Sequence, residues 1–324
     1  MATILNIING DVAINIIKKS NIQGEFLAWN DFLHDGPVPE NFSLEELSKV
    51  RANFLYHQGF GERKEIEKEF ETRDKILINY LTYDKITLWF EHDLYDQLQL
   101  LQILAWFKKH LQGRIELTLI STETYWGDCS SDKINKLLRY EHNITKEHLT
   151  LASKAWNAFS KSTPEQWFNL LKRDNYILPF LKNSVHRMLE EYPNTKNGLS
   201  RSEHQVLLNI SKEINTPNEI FKACQEYEMA QFMGDVLFWK ILDNFIQYKV
   251  INSKKNSRLF QLTSIGEKLL RGELNWISIM PMNRWIGGVN LTPDNLWCWD
   301  IKNKNIQKYY YSETLYTLLS IKKK

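Results

Sequence analysis

Cysteine is scarce in this chain. Three thiols, Cys129, Cys224 and Cys298, stand far apart in 324 residues, and no two form a CxxC. An odd set of isolated cysteines argues against a disulfide framework and a thiolate zinc site, and points to a cytoplasmic location. Long apolar runs are also missing. No stretch approaches the roughly 18–20 residues that span a bilayer, so no membrane partner is expected. The opening MATILNIINGDVAINIIKKS has no basic segment ahead of its apolar residues, and Asp11 soon interrupts them. It reads as a strand followed by a helix rather than as a signal peptide. There is no GxGxxG, Walker loop, HExxH or GxSxG, and no internal repeat or low-complexity stretch.

What is present is ordinary for a globular chain: 43% hydrophobic and 25% charged residues. Disorder as the main state is excluded on that composition, and the length suggests about two domains. The net charge of +2 hides an asymmetry. Residues 1–150 hold 17 Lys and Arg against 23 Asp and Glu, whereas residues 151–324 hold 24 against 16. The acidic half would repel a polyanion unless a metal or a local basic cluster intervened. The basic half would attract one weakly.

Apolar runs mark four strands, at Thr3–Ile8, Glu25–Trp29, Lys85–Phe90 and Arg114–Ile120, with helical patterns between them. These helices are expected at Val12–Lys19 (capped by Asp11), after Ser43, over about Glu62–Leu81 and over about Tyr95–Leu111. Strand and helix in alternation argue for a parallel α/β sheet, a Rossmann-like domain over residues 1–125. Residues 126–196 read as a helical connector, with Pro193–Gly198 as the linker. Residues 197–275 carry helix, helix, helix, hairpin, helix, the order of a winged-helix-like module. Residues 276–324 form a tail whose tryptophans are expected to pack back on the body.

In open parallel sheets, ligands bind beyond the carboxyl ends of the strands. The first strand delivers Asn9, Gly10 and Asp11 there. The second delivers Asn30, Asp31 and then His34, and the third delivers Glu91, His92 and Asp93. Carboxylates and imidazoles converging on one crevice suit a divalent metal such as Mg or Mn, or general acid/base work. Taken singly, Asp11 and Asp93 also read as helix caps. Arg51, Arg63 and Arg73 lie on the helical insert. Arg63 reads as surface charge, while Arg51 and Arg73 are candidates to clamp a phosphate. Arg284, ahead of Gly287-Gly288, is a candidate to complete the crevice. The winged-helix segment offers a basic wing, Lys249, Lys254, Lys255 and Arg258. Its third helix, however, is a poor groove reader, so nucleic acid is a weakly supported partner.

These residues also carry a resemblance. Asn9-Gly10-Asp11, Trp29-Asn30-Asp31, Gly36-Pro37-Val38-Pro39, Arg51, Arg73-Asp74 and LWFEHDLYDQLQL at 88–100 resemble the N-terminal domain of the bacterial DUF1835 family. QFMGDVLFWKILDNF at 231–245, Leu262-Thr263 with Gly266, and RWIGGVNL at 284–291 are similar to the C-terminal region that accompanies that domain in the family. The match spans about residues 3–300. The resemblance implies a bacterial cytosolic protein and supplies no activity, cofactor or catalytic residue. It places Asn9, Asp11, Asp31, Gly36, Arg51, Arg73, Glu91, His92, Asp93 and Gln97 at motif positions.

Together these residues suggest a metal-assisted hydrolase or transferase acting on a phosphate-bearing small molecule such as a nucleotide. Asp11, Asp31, Glu91 and Asp93 would supply metal or proton-transfer oxygens, and His34 or His92 the general acid/base. Asn9, Gly10, Gly36, Gln97 and the arginines would hold the ligand. The alternative is a ligand-sensing regulator or a partner-binding protein without chemistry.

Overall fold

The computed structural model describes residues 2–113, 115–173, 177–253 and 259–309. They divide into two compact units: Val185 and everything before it together with Gly287–Val289, and His186–Ile286 together with the residues from Asn290.

The first unit follows the expected alternation. β1 (Ile4–Ile8), α1 (Asp11–Lys18), β2 (Glu25–Ala28) and a two-residue strand β3 (Gly36–Pro37) come first. A helical pair comes next, α2 (Leu44–His57) and α3 (Arg63–Ile78), then β4 (Lys85–Glu91), α4 (Leu94–His110) and β5 (Glu116–Thr122). After these are α5 (Ser131–Leu137), a short strand β6 (His142–Asn143) that periodicity does not disclose, α6 (Lys146–Phe159) and α7 (Glu165–Asn169). The sheet order is β2-β1-β4-β5-β6. The first four strands are parallel, and β6 is antiparallel to β5. β1 and β4 are buried on both faces, as their mostly apolar residues require.

Helix α4 departs from expectation. Its buried residues run all round the helix, from Leu94 through Asp96–Ala105 to Phe107. It packs against β4 and along α6, so a helix read as having one apolar side is covered on its outer side too. The helices read as a connector therefore belong to the first unit, which ends within α8 (Leu181–Leu189) rather than at 125.

The second unit holds α9 (Arg201–Ser211), α10 (Pro217–Glu226), α11 (Asp235–Gln247), the hairpin β7 (Ile251–Ser253) with β8 (Phe260–Leu262), and α12 (Ser264–Arg271). The capping box at Ser200 and Glu203 and the proline at the start of α10 are where the sequence puts them. A turn α13 (Trp276–Ile279) leads to β9 (Arg284–Gly287) and β10 (Val289–Leu291), and then to the hairpin β11 (Leu296–Asp300) with β12 (Asn305–Tyr309). Trp276, Trp297 and Trp299 are buried.

Pro193–Gly198 is not a free linker. The Thr195 N–H donates to the Trp299 carbonyl at 3.0 Å, and the Trp299 N–H donates to the Pro193 carbonyl at 2.9 Å. Buried Asn194 donates to Asn197 Oδ1 and to the Leu199 carbonyl, so asparagine side chains satisfy the turn from within.

Gly287 and Gly288 are held by backbone contacts. The Gly287 carbonyl accepts from the Val38 N–H at 2.8 Å, and the Gly288 N–H donates to the Phe159 carbonyl at 2.9 Å. A Cβ on Gly288 would stand 1.9 Å from the Ser160 carbonyl oxygen. Gly288→Ala is therefore expected to cost at least about 2 kcal/mol of stability, because backbone and not a side-chain tip must give way. Urea unfolding measures it, and a neutral result would mean that the end of α6 yields freely.

Candidate functional site

The sheet order fixes where a ligand crevice can form. β1 crosses to β2 through α1, and β4 crosses to β5 through α4, in opposite directions along the sheet. With right-handed crossovers, α1 and α4 fall on opposite faces. Accordingly Ala13, Ile14 and Ile17 of α1 pack with Ile8, Trp89 and Ile120 on one face. The order thus reverses between β1 and β4, and the carboxyl ends of that pair are the topological switch point.

Three carboxylates meet there. Glu91, Asp93 and Asp96 each bring an oxygen, and these lie within 4.8 Å of one another. Local structure puts them in place. Glu91 ends β4, Asp93 caps α4 by accepting from the N–H groups of Tyr95 (2.8 Å) and Asp96 (3.1 Å), and Asp96 sits in the first turn. Asp96 accepts from the Glu91 N–H at 2.7 Å and from Asn9 Nδ2, tying β1 to β4. The Glu91 carboxylate accepts from the Trp126 N–H in the loop after β5, and it hydrogen-bonds with Asp93.

Among the described residues, no lysine or arginine pairs with any of the three. Burial first, then repulsion from Asp96, pushes Glu91 up to about 8. Burial, with the Glu91 charge adding to it, pushes Asp93 up to about 7 despite two amide donors. Asp96 is raised well above the carboxylate range by burial and then by Asp93. Three carboxyls this close, two buried and one half-buried, without a counter-ion cannot all ionise at neutral pH, so they hold protons, share them or take a cation.

Asp31 and Arg51 are together, but not as clamp and metal ligand. Arg51 is fully buried, Asp31 is 1% exposed, and Arg51 Nη2 donates to Asp31 Oδ1 at 2.7 Å. Arg51 Nε donates to both carboxylate oxygens, and Nη1 and Nη2 donate to the carbonyls of Asp35 (2.7 Å) and Phe32 (3.1 Å). Phe32 and Phe54 flank the guanidinium. The pair organises the loop over 31–37, and the expectation that these two face a ligand is corrected. Gly36 belongs to the same device: its φ is +83°, and a Cβ would strike the Phe54 ring at 2.4 Å. His34, also buried, has its ring beside those of Phe32 and Tyr95.

The other expected residues are distributed around these two groups. Asp11 is the first residue of α1 and not its cap, which is Gly10 at φ +80°. It accepts from Asn30 Nδ2 at 3.0 Å and lies outside the three-carboxylate group. Gln97 donates to the Glu91 carbonyl at 2.7 Å, so it shapes the strand end. His92 follows the end of β4, its ring beside Tyr125 and Phe180, and burial lowers its pKa. Arg73 stacks on Trp29 and Phe70 and pairs with Asp74. Burial outweighs Arg73 and holds Asp74 above the usual range. Arg284 lies in the second unit, paired with Glu191. Lys249 is exposed at φ +57°, whereas Lys254, Lys255 and Arg258 lie outside the described residues.

Sequence reasoning missed Asp96 and Gln99. Gln99 donates to the carbonyls of Trp29 (2.6 Å) and Asp31 (3.0 Å) and to Asn9 Oδ1. Asp96 could have been found from its spacing, since a residue three beyond a cap returns to the same end of the helix.

No family model matches the chain, and no curated protein matches it either. The described residues contain no helix long and apolar enough to cross a membrane. The class that fold and site define is an α/β protein with a carboxylate-lined switch point.

Proposed function

We propose that the switch point is the active site of a metal-assisted hydrolase or transferase acting on a phosphate-bearing small molecule, a nucleotide among the candidates. The observation that carries this reading is the group of three carboxylates without a counter-ion at the reversal between β1 and β4. An all-oxygen donor set suits Mg or Mn. A divalent cation held there supplies a Lewis acid that a phosphate oxygen can meet. Glu91 is half-buried and is the member open to substrate, while Asp93 and Asp96 are enclosed. Without a cation, Glu91 keeps its proton at neutral pH and is a proton donor. Asn9 and the Glu91 N–H orient Asp96, and the Trp126 N–H orients Glu91. Arg51 has no part in the chemistry. The resemblance to DUF1835 and a winged-helix-like second unit are compatible with this reading and add nothing to it.

Calorimetric titration of the full chain with Mg and with Mn at neutral pH tests the reading. Binding is expected to release one or more protons per ion, because the cation displaces protons the cluster holds. Repeating the titration in buffers of different ionisation enthalpy counts them. Asp93→Asn keeps a good helix cap while removing one ligand charge, so it should abolish binding without unfolding α4. Absent binding, or binding indifferent to Asp93→Asn and Asp96→Asn, would remove the metal from the proposal.

A further inference from the structure

A second candidate, which includes none of the three carboxylates, lies at the edge strand β2 of the sheet. An open depression of about 580 Å³ lies between β2 and α3, lined by Ala28, Asn30, Asp11, Lys68, Thr72 and Arg73 among others. Arg73 is 5% exposed. Its Nε and Nη2 donate to Asp74 Oδ1 at 3.0 and 2.8 Å, and Nη2 also donates to Ser48 Oγ at 2.8 Å. Trp29 and Phe70 cover the guanidinium at 4.1 and 4.3 Å. Nη1 alone, with two N–H groups, has no acceptor among the described residues. A buried charged donor left without an acceptor is costly.

We infer that this depression is a binding site for a small molecule with a single oxyanion head, a carboxylate or a phosphate monoester, seated on Arg73 Nη1. The guanidinium fork matches that chemistry, and the stacked rings hold it in one orientation. The rest of the lining sets the limit on charge. Lys68 and Arg73 face Asp11, Glu65 and Glu69, so a ligand carrying several negative charges meets repulsion that a singly headed one escapes. Nη1 is closed to water as it stands, so entry requires a shift of lining side chains. The inference does not depend on the metal reading of the switch point.

Nitrogen NMR of the arginine side chains in the full chain tests it. The probes are inorganic phosphate and, separately, acetate, against chloride at matched ionic strength. A saturable shift of the Arg73 guanidinium signals is expected, and the two probes distinguish a phosphoryl from a carboxylate head. Glu69→Gln should tighten binding and Lys68→Glu weaken it, each by about two- to fivefold. Both side chains are exposed, so the fold is retained. No saturable shift with either probe would overturn the site. A shift whose midpoint ignores both variants would also overturn it, since the anion would then sit elsewhere. Pyrophosphate binding more tightly than phosphate would overturn the limit to a single head.

Discussion

Replacing Arg51 with methionine is expected to lower stability by about 3–5 kcal/mol, the cost of leaving a buried carboxylate without its partner. Asp31 and Arg51 are enclosed, and their contact at 2.7 Å is one of several that the guanidinium makes. The variant leaves the Asp31 charge unpaired and releases the carbonyls of Phe32 and Asp35. The cost therefore falls on the whole loop over 31–37 and not on one ion pair. Urea unfolding at neutral pH, monitored by tryptophan fluorescence, measures it. Arg51→Met combined with Asp31→Leu should recover part of the loss, because the stranded charge is then gone. A loss under about 1 kcal/mol for the single variant would show that water reaches Asp31 and that the pair does not organise the loop.

The second large effect is a dependence of stability on pH that runs opposite to ordinary acid denaturation. Glu91 titrates at 4.5 when unfolded and at about 8 when folded. Between those values the unfolded chain has given up this proton and the folded chain has kept it. Stability is therefore fully present below about pH 4.5, falls as pH rises, and loses the whole contribution above about pH 8. Asp93, raised to about 7, acts in the same direction over a neighbouring window. The joint loss between pH 5 and pH 9 is about 2–4 kcal/mol for the cluster as a unit. Urea midpoints at pH 5, 7 and 9 measure it. Asp96→Asn, which removes the neighbouring charge, should flatten the curve, and Mn added at pH 9 should restore what alkali removes. A wild-type curve that is flat or rises with pH would mean that these carboxyls ionise as exposed ones do.

The distribution of expected and observed site residues has one physical pattern. Glu91 and Asp93 reach the crevice because a strand end and a helix cap put them there, and both are local features. Asp96 is harder to find although it lies in the same short segment, because a residue in a helix's first turn reads as ordinary capping charge. Asp31 and Arg51 stand out in the sequence for a sound reason, their chemistry, but their partner is each other across twenty residues. Arg73 pairs with the adjacent Asp74, but one of the rings that cover it, Trp29, comes from the end of β2. A buried guanidinium with a structural duty and one that awaits a ligand look alike in a sequence. They differ only in which acceptors surround them.

Local chemistry in the sequence was enough for the strands of the parallel sheet, the helices between them, the capping box at Ser200 and the polar strand ends, because each rests on neighbours within a few residues. The sheet order, the reversal between β1 and β4, and the enclosure of α4 by α6 were decided only by tertiary structure. So were the conversion of Pro193–Gly198 from a supposed linker into a paired turn, and the choice of which carboxylates meet. Those outcomes depend on contacts between residues distant in the chain. Burial there sets the charge state of Glu91, Asp93 and Asp96, and no spacing along the sequence records how much water reaches a side chain.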